Sequence, residues 1–122
     1  MAAPSYEAAV TDANLNGASV TTGTDGAFVD MSSHFGVHGT IEGNFPGSPT
    51  DDLIVEAYGA IDGGTDYADT PFWSQTIDNG TDPNQIDYFF ERPLRGYRIH
   101  AKRSGSTDTI TVTHKYSRYT TA

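Results

Sequence analysis

Four histidines, sixteen carboxylates and seven basic side chains are the groups of this chain that could do chemistry, and there is no cysteine. Thiolate metal sites and disulfides are therefore excluded. His34 and His38 lie four residues apart. On a strand, at a rise of about 3.3 Å per residue, that spacing separates them by more than about 10 Å, too far for one zinc ion. His100 and His114 fall on opposite faces of the hairpin expected near the C-terminus. All four read as surface or rim histidines, with no metal site. The stretch 62–69, Asp62-Gly63-Gly64-Thr65-Asp66-Tyr67-Ala68-Asp69, is dense enough in carboxylates for calcium. It lacks the glutamate and spacing of an EF-hand loop and reads as a solvated turn, as does the second acidic loop, 78–83.

No nucleophile elbow, phosphate loop or dinucleotide fingerprint is present. Paired carboxylates working on a glycosidic bond need a cleft, which a domain of this size has little room for. The expectation is a protein without catalytic residues and without a cofactor. Aromatic side chains offer one other chemistry. Tyr58, Trp73 and Phe89 are candidate exposed aromatics, and Tyr58 with Trp73 forms a candidate sugar-stacking platform.

Charge is distributed unevenly. Arg92, Arg95, Arg98, Lys102, Arg103, Lys115 and Arg118 are all the basic residues, and Asp108 is the only acid among residues 92–122. The first 91 residues hold the other fifteen acids and no Lys or Arg. Such a chain has two electrostatic ends, which can attract a neighbouring copy or an acidic partner surface. Nucleic acid is a poor partner, because the net charge is −9 and aromatics do not interleave with the basic residues.

These residues must be positioned by strands. The composition is poor in helix formers and rich in Thr, Ser, Gly and Asp, which suits short strands joined by turns. At 122 residues the chain is long enough for one core. Candidate strands are 17–22, 26–31, 35–45, 53–61, 71–78, 85–91, 96–103 and 109–118. Val37, Gly39, Ile41 and Phe45 alternate with His38, Thr40, Glu42 and Asn44. Leu53, Val55, Ala57 and Ile61 share a face, and Ile86, Tyr88 and Phe90 oppose Asp87, Phe89 and Glu91. Period-two patterning of this kind predicts antiparallel sheets packed face to face. The last two strands are expected to pair as a hairpin through a type II′ turn at Gly105-Ser106, with Ala101 opposite Ile110 and Ile99 opposite Val112. Its outer face would carry Arg98, His100 and Lys102 beside Thr109, Thr111 and Thr113, with Lys115 at the far end. The fold class is all-β, an eight-stranded antiparallel β-sandwich or jelly roll over residues 17–122, preceded by an irregular N-terminal arm at 1–16. The N-terminus shows no basic or apolar leader, and no apolar run reaches membrane-spanning length. The expected protein is soluble, made in a cytoplasm, and has no membrane partner.

The strand and hairpin signal Asp52-Leu53-Ile54-Val55-Glu56-Ala57-Tyr58-Gly59-Ala60-Ile61-Asp62-Gly63-Gly64-Thr65 is followed by Phe72-Trp73-Ser74-Gln75-Thr76-Ile77-Asp78-Asn79. Then come Pro93-Leu94-Arg95-Gly96-Tyr97-Arg98-Ile99-His100-Ala101 and Gly105-Ser106-Thr107-Asp108-Thr109-Ile110-Thr111-Val112. This succession, over residues 50–119, resembles the small β-sandwich cement, or decoration, proteins of tailed-bacteriophage capsids. The resemblance implies a non-enzymatic virion protein on the capsid exterior that links major capsid subunits and acts as a homo-oligomer, a trimer being usual. It also implies that an N-terminal arm, here Ala2, Ala3, Pro4, Ser5 and Tyr6, reaches onto a neighbour. On this reading Arg92, Arg95, Arg98, Lys102, Arg103 and Lys115 are the polar contacts to the capsid. A carbohydrate-binding sandwich and a tail or fibre accessory protein are the alternatives.

Overall fold

The computed structural model describes residues 4–91 and 95–121. The described residues form ten strands and no helix: β1 (Pro4–Tyr6), β2 (Val10–Val20), β3 (Thr24–Asp25), β4 (Val29–Asp30), β5 (Gly36–Asn44), β6 (Leu53–Gly59), β7 (Trp73–Ile77), β8 (Asn84–Glu91), β9 (Gly96–Arg103) and β10 (Ile110–Thr121). Every strand pairing is antiparallel. One sheet runs β1–β10–β5–β8, with β2 also on β10, and the other runs β3–β9–β6–β7, with β4 also on β9. The two sheets face each other across one core, so the all-β sandwich expected from the alternating pattern is what the chain forms.

The alternation explains the core. Val37, Ile41 and Phe45 from β5 and its end, Leu53, Val55 and Ala57 from β6, Tyr88 and Phe90 from β8, Tyr97, Ile99 and Ala101 from β9, and Ile110 and Val112 from β10 are all buried. Each large aliphatic member contributes about 1.5–3 kcal/mol through its removal from water. Gly39 is a packing requirement. A Cβ there would collide with the Tyr88 ring, so β5 can carry that ring only with glycine at this position.

Four expectations need correction. The segment read as an irregular arm is largely strand: Pro4, Ser5 and Tyr6 pair with Thr121, Thr120 and Tyr119, and β2 pairs with β10 from Val10 onward. Ala2 and Ala3 lie outside the described residues. The single strand expected at 26–31 is two short strands flanking Gly26, both laid on β9. Ile61 is 57% exposed and does not belong to the core, because β6 ends at Gly59 and the chain turns there.

The fourth correction is the C-terminal hairpin. β9 and β10 do not pair: β9 lies beside β6, and β10 beside β5 in the other sheet. Tyr97, Ile99, Ala101, Ile110 and Val112 do face the core. Two strands in opposed sheets bury the same alternate positions as two strands of one hairpin, so parity could not separate the cases. What decides is a clasp at the crossover. Asp51 Oδ2 accepts the amides of Thr107 and Asp108 at 2.9 and 2.8 Å, while Asp108 Oδ2 accepts the amides of Thr50 and Asp51 at 2.7 Å each. These bonds, from the Asp51 and Thr50 amides, hold the Asp108 carboxyl below the usual carboxylate range. The turn residues thus guide the chain from one sheet to the other.

Candidate functional site

Two polar constellations stand out, one inside the sandwich and one on it. Inside, Asp12 of β2, His114 of β10, Tyr88 of β8 and Tyr97 of β9 form a continuous chain. His114 Nδ1 lies 2.8 Å from Asp12 Oδ2, His114 Nε2 lies 2.6 Å from the Tyr88 hydroxyl, and that hydroxyl lies 2.6 Å from the Tyr97 hydroxyl. All four residues are buried. One arrangement gives every proton a partner: Tyr97 O–H donates to Tyr88, Tyr88 O–H to His114 Nε2, and His114 Nδ1–H to Asp12. Asp12 Oδ1 also accepts the amides of Asn14 and Ala27 at 2.9 Å each. Burial raises the Asp12 pKa, but the bonds from His114, Ala27 and Asn14 outweigh it and leave the carboxyl below its ordinary value. Burial also pushes both phenols up, Tyr97 well above its ordinary value. The chain crosses from one sheet to the other, because Tyr97 alone comes from the β9 sheet. Closed off from solvent, it can brace the two layers but cannot meet a substrate.

His114, expected as a surface histidine, is fully buried. Its parity with Ile110 and Val112 is the signal that places it in the core. Asp12 has no such signal, since nothing in the segment around it alternates.

Outside, the exposed face of the β9 sheet holds an open groove of about 470 Å³, walled by the loop after β6. Alternation places Arg98, His100 and Lys102 outward on β9, and Tyr58 outward on β6 directly opposite Arg98. Asp25 of β3, opposite His100 in register, accepts from His100 Nδ1 at 2.7 Å and lies 3.5 Å from Arg98 Nη2. The Arg98 guanidinium sits 4.0 Å from the centre of the Tyr67 ring, a cation–π distance. Tyr58 meets the His100 ring edge-on at 6.2 Å. Burial raises the pKa of both the Tyr58 and Tyr67 phenols.

The loop wall is internally fixed. Asp62 accepts the amides of Gly64, Thr65 and Asp66 at 3.0, 2.9 and 2.9 Å, and its other oxygen accepts the Thr65 hydroxyl. These bonds, the hydroxyl's first, drop the Asp62 carboxyl well below the usual carboxylate range. Gly64 has φ of 116°, which a residue with a side chain rarely adopts. Asp62 thus spends its carboxylate on its own turn. Among the described residues no three of His, Asp and Glu stand together as metal ligands.

The other residues singled out from sequence scatter. Arg95 Nη1 donates to the Ile61 carbonyl at 2.9 Å, Lys102 lies 3.2 Å from Glu56, and Arg103 Nη1 donates to the Asp108 carbonyl at 2.6 Å. Lys115 is exposed on the opposite sheet, so the expected stripe of Arg98, Lys102 and Lys115 on one hairpin face does not exist. Arg92 lies outside the described residues. Trp73 does not pair with Tyr58 as a platform. It packs half-buried against Tyr88 and Phe90, at 5.7 Å from each ring. Phe89 is exposed as expected. It stacks at 5.8 Å on Tyr119, which Tyr6 also contacts at 5.2 Å and Phe35 at 5.8 Å.

No family model and no curated protein sequence matches the chain. Solved structures do share its fold. The subunit of Bacillus endospore appendages, described as disulfide-linked pili, superposes with a TM-score of 0.56 at 9% identity over 100% of this chain and 92% of that one. The SPBc2 prophage-derived protein YomS superposes with a TM-score of 0.57 at 15% identity over 98% of this chain and 97% of that one. A CBM22-1 xylan-binding domain of Paenibacillus barcinonensis Xyn10C is more distant, with a TM-score of 0.47 at 7% identity over 98% of this chain and 86% of that one. At these identities the likeness is one of fold: a small β-sandwich.

Proposed function

We propose that this chain is a non-enzymatic structural protein of a phage virion, which binds the outer surface of the capsid and stabilises it by linking major capsid subunits. The observation that carries the reading is the aromatic patch at one end of the β1–β10–β5–β8 sheet. Tyr6 is 63% and Phe89 51% exposed, and both lean on the Tyr119 ring. Exposed aromatics clustered on a sheet are a costly surface in a monomer and a usual anchor in an assembly. The patch includes Tyr6, one of the N-terminal residues expected to contact a neighbour. Its β1 strand ties the N-terminal segment to the sheet at that point. The resemblance to cement proteins supports the same reading, and two proteins sharing the fold are described as a prophage product and a pilus subunit. Added apolar contact would stabilise the lattice by mass action. The basic residues have a smaller part than their segregation implied, because most already meet acceptors within the chain.

The test mixes the purified protein with expanded heads, images them, and follows head melting with and without it. Wild type is expected to decorate the heads and raise their melting temperature. Phe89→Ser with Tyr6→Ser is expected to keep the monomer folded while occupancy falls at least about tenfold. Undiminished occupancy in that variant would refute the role of the patch, and no decoration by wild type would refute the capsid reading itself.

A further inference from the structure

We infer that the groove on the β9 sheet binds a neutral oligosaccharide through Tyr58, Tyr67, Arg98, Asp66 and Asp69. Its volume of about 470 Å³ is within the range of small-molecule sites. It is distinct from the aromatic patch, which lies on the other sheet.

The chemistry of the lining selects the class. Asp66 and Asp69 line the groove, both exposed, and among the described residues neither carboxylate has a side-chain or amide partner. They offer acceptors to a ligand. Arg98 offers donors from the sheet beneath the loop, held in place by Asp25 and the Tyr67 ring. Two unspent carboxylates on a chain of net charge −9 disfavour phosphates, uronic acids and nucleic acid. A cationic ligand would suit the carboxylates but would have to sit against the Arg98 guanidinium. An apolar ligand would leave all of these groups desolvated and unpaired. Hydroxyl groups avoid each conflict: one hydroxyl can donate to Asp66 or Asp69 while another accepts from Arg98. The apolar C–H face of a pyranose then has the Tyr58 ring to rest on, while Tyr67 holds the Arg98 guanidinium in place beside it.

The site is also pre-organised. Tyr67 is held edge-on to Phe28 at 6.4 Å as well as under Arg98, and its loop is fixed by Asp62 and by the Ala60–Tyr67 bridge. Binding therefore orders little that is not already ordered. The groove is open to solvent, so a saccharide longer than the part it holds can extend out of it.

The experiment titrates tetra- to hexasaccharides of glucose, mannose and galactose into the intact protein by calorimetry, with a hexalysine peptide and a hexauronate as comparison ligands. The expected result is saturable binding of at least one neutral oligosaccharide. Tyr58→Ala and Asp66→Asn should each weaken it about tenfold or more, while Trp73→Phe and Phe89→Ser leave it unchanged. Asp66→Asn lies on an exposed loop position, so it tests the site without risk to the fold. Absence of binding to every neutral oligosaccharide would overturn the inference. So would binding only to hexalysine or the hexauronate, or binding that survives both groove substitutions. Because Phe89→Ser empties the proposed capsid contact and not the groove, the two readings fail separately.

Discussion

The same combination of one aspartate, one histidine and two tyrosines occurs twice in this protein with opposite consequences. Asp12, His114, Tyr88 and Tyr97 lie within the sandwich, whereas Asp25, His100, Tyr58 and Tyr67 lie on its surface. Both sets contain an aspartate on a histidine Nδ1, at 2.8 Å inside and 2.7 Å outside. Inside, every polar atom of the chain needs a protein partner, and each bond is part of what holds two sheets together. Outside, water stands in for any lost partner, and an added arginine turns the set toward recognition. Chemical identity did not decide the role; burial did.

The largest expected effect sharpens that contrast. His114→Ala leaves Asp12 and Tyr88 buried without their shared partner, and it should cost about 3–5 kcal/mol in chemical denaturation. His100→Ala, at the half-exposed pair, should cost no more than about 1 kcal/mol. Equal losses at the two sites would break the comparison.

Next in size is the acid limb of stability. The folded-state pKa of Asp12 is below its unfolded value, so its contribution is fully present above the unfolded carboxyl range and is lost as pH falls through the folded value. Glu7 behaves alike: burial opposes ionisation, but bonds from His34 and Arg118 prevail. Denaturation curves between pH 6 and 2 should show stability declining below about pH 4. Asp12→Asn should be less stable at neutral pH and shallower in this decline. A slope identical to wild type would show that Asp12 is not the group responsible.

The smallest effect tests the end of the relay. Tyr97→Phe deletes one O–H and leaves Tyr88 still bonded to His114, so a loss of about 1 kcal/mol is expected. Spectrophotometric titration provides a companion reading. With both phenol pKa values raised by burial, Tyr88 and Tyr97 should stay un-ionised through the range in which exposed tyrosines titrate.

Much of this was legible from residue order. Parity placed Val37, Ile41, Leu53, Val55, Tyr88, Phe90, Tyr97, Ile99, Ile110 and Val112 on the core side, and the absence of helix followed from composition. Parity also placed Arg98, His100 and Tyr58 on outer faces, where they line the groove. Asp12 was not legible. It is a lone acid between Thr11 and Ala13, and its partner His114 is over a hundred residues away. The charge asymmetry was legible as a fact but not in its use. Arg98 folds back onto Asp25, Lys102 onto Glu56 and Arg118 onto Glu7, so charges separated along the chain are interleaved in space.

The sequence by itself determined that the chain makes strands and which side of each strand is wet, because alternation is a local property of the backbone. Tertiary structure decided which strands are neighbours, since a strand buries the same residues whether its sequence neighbour lies beside it or in the facing sheet. It also decided that one Asp–His pair is a brace and the other the wall of a groove. That difference rests on access to water, which no local pattern encodes.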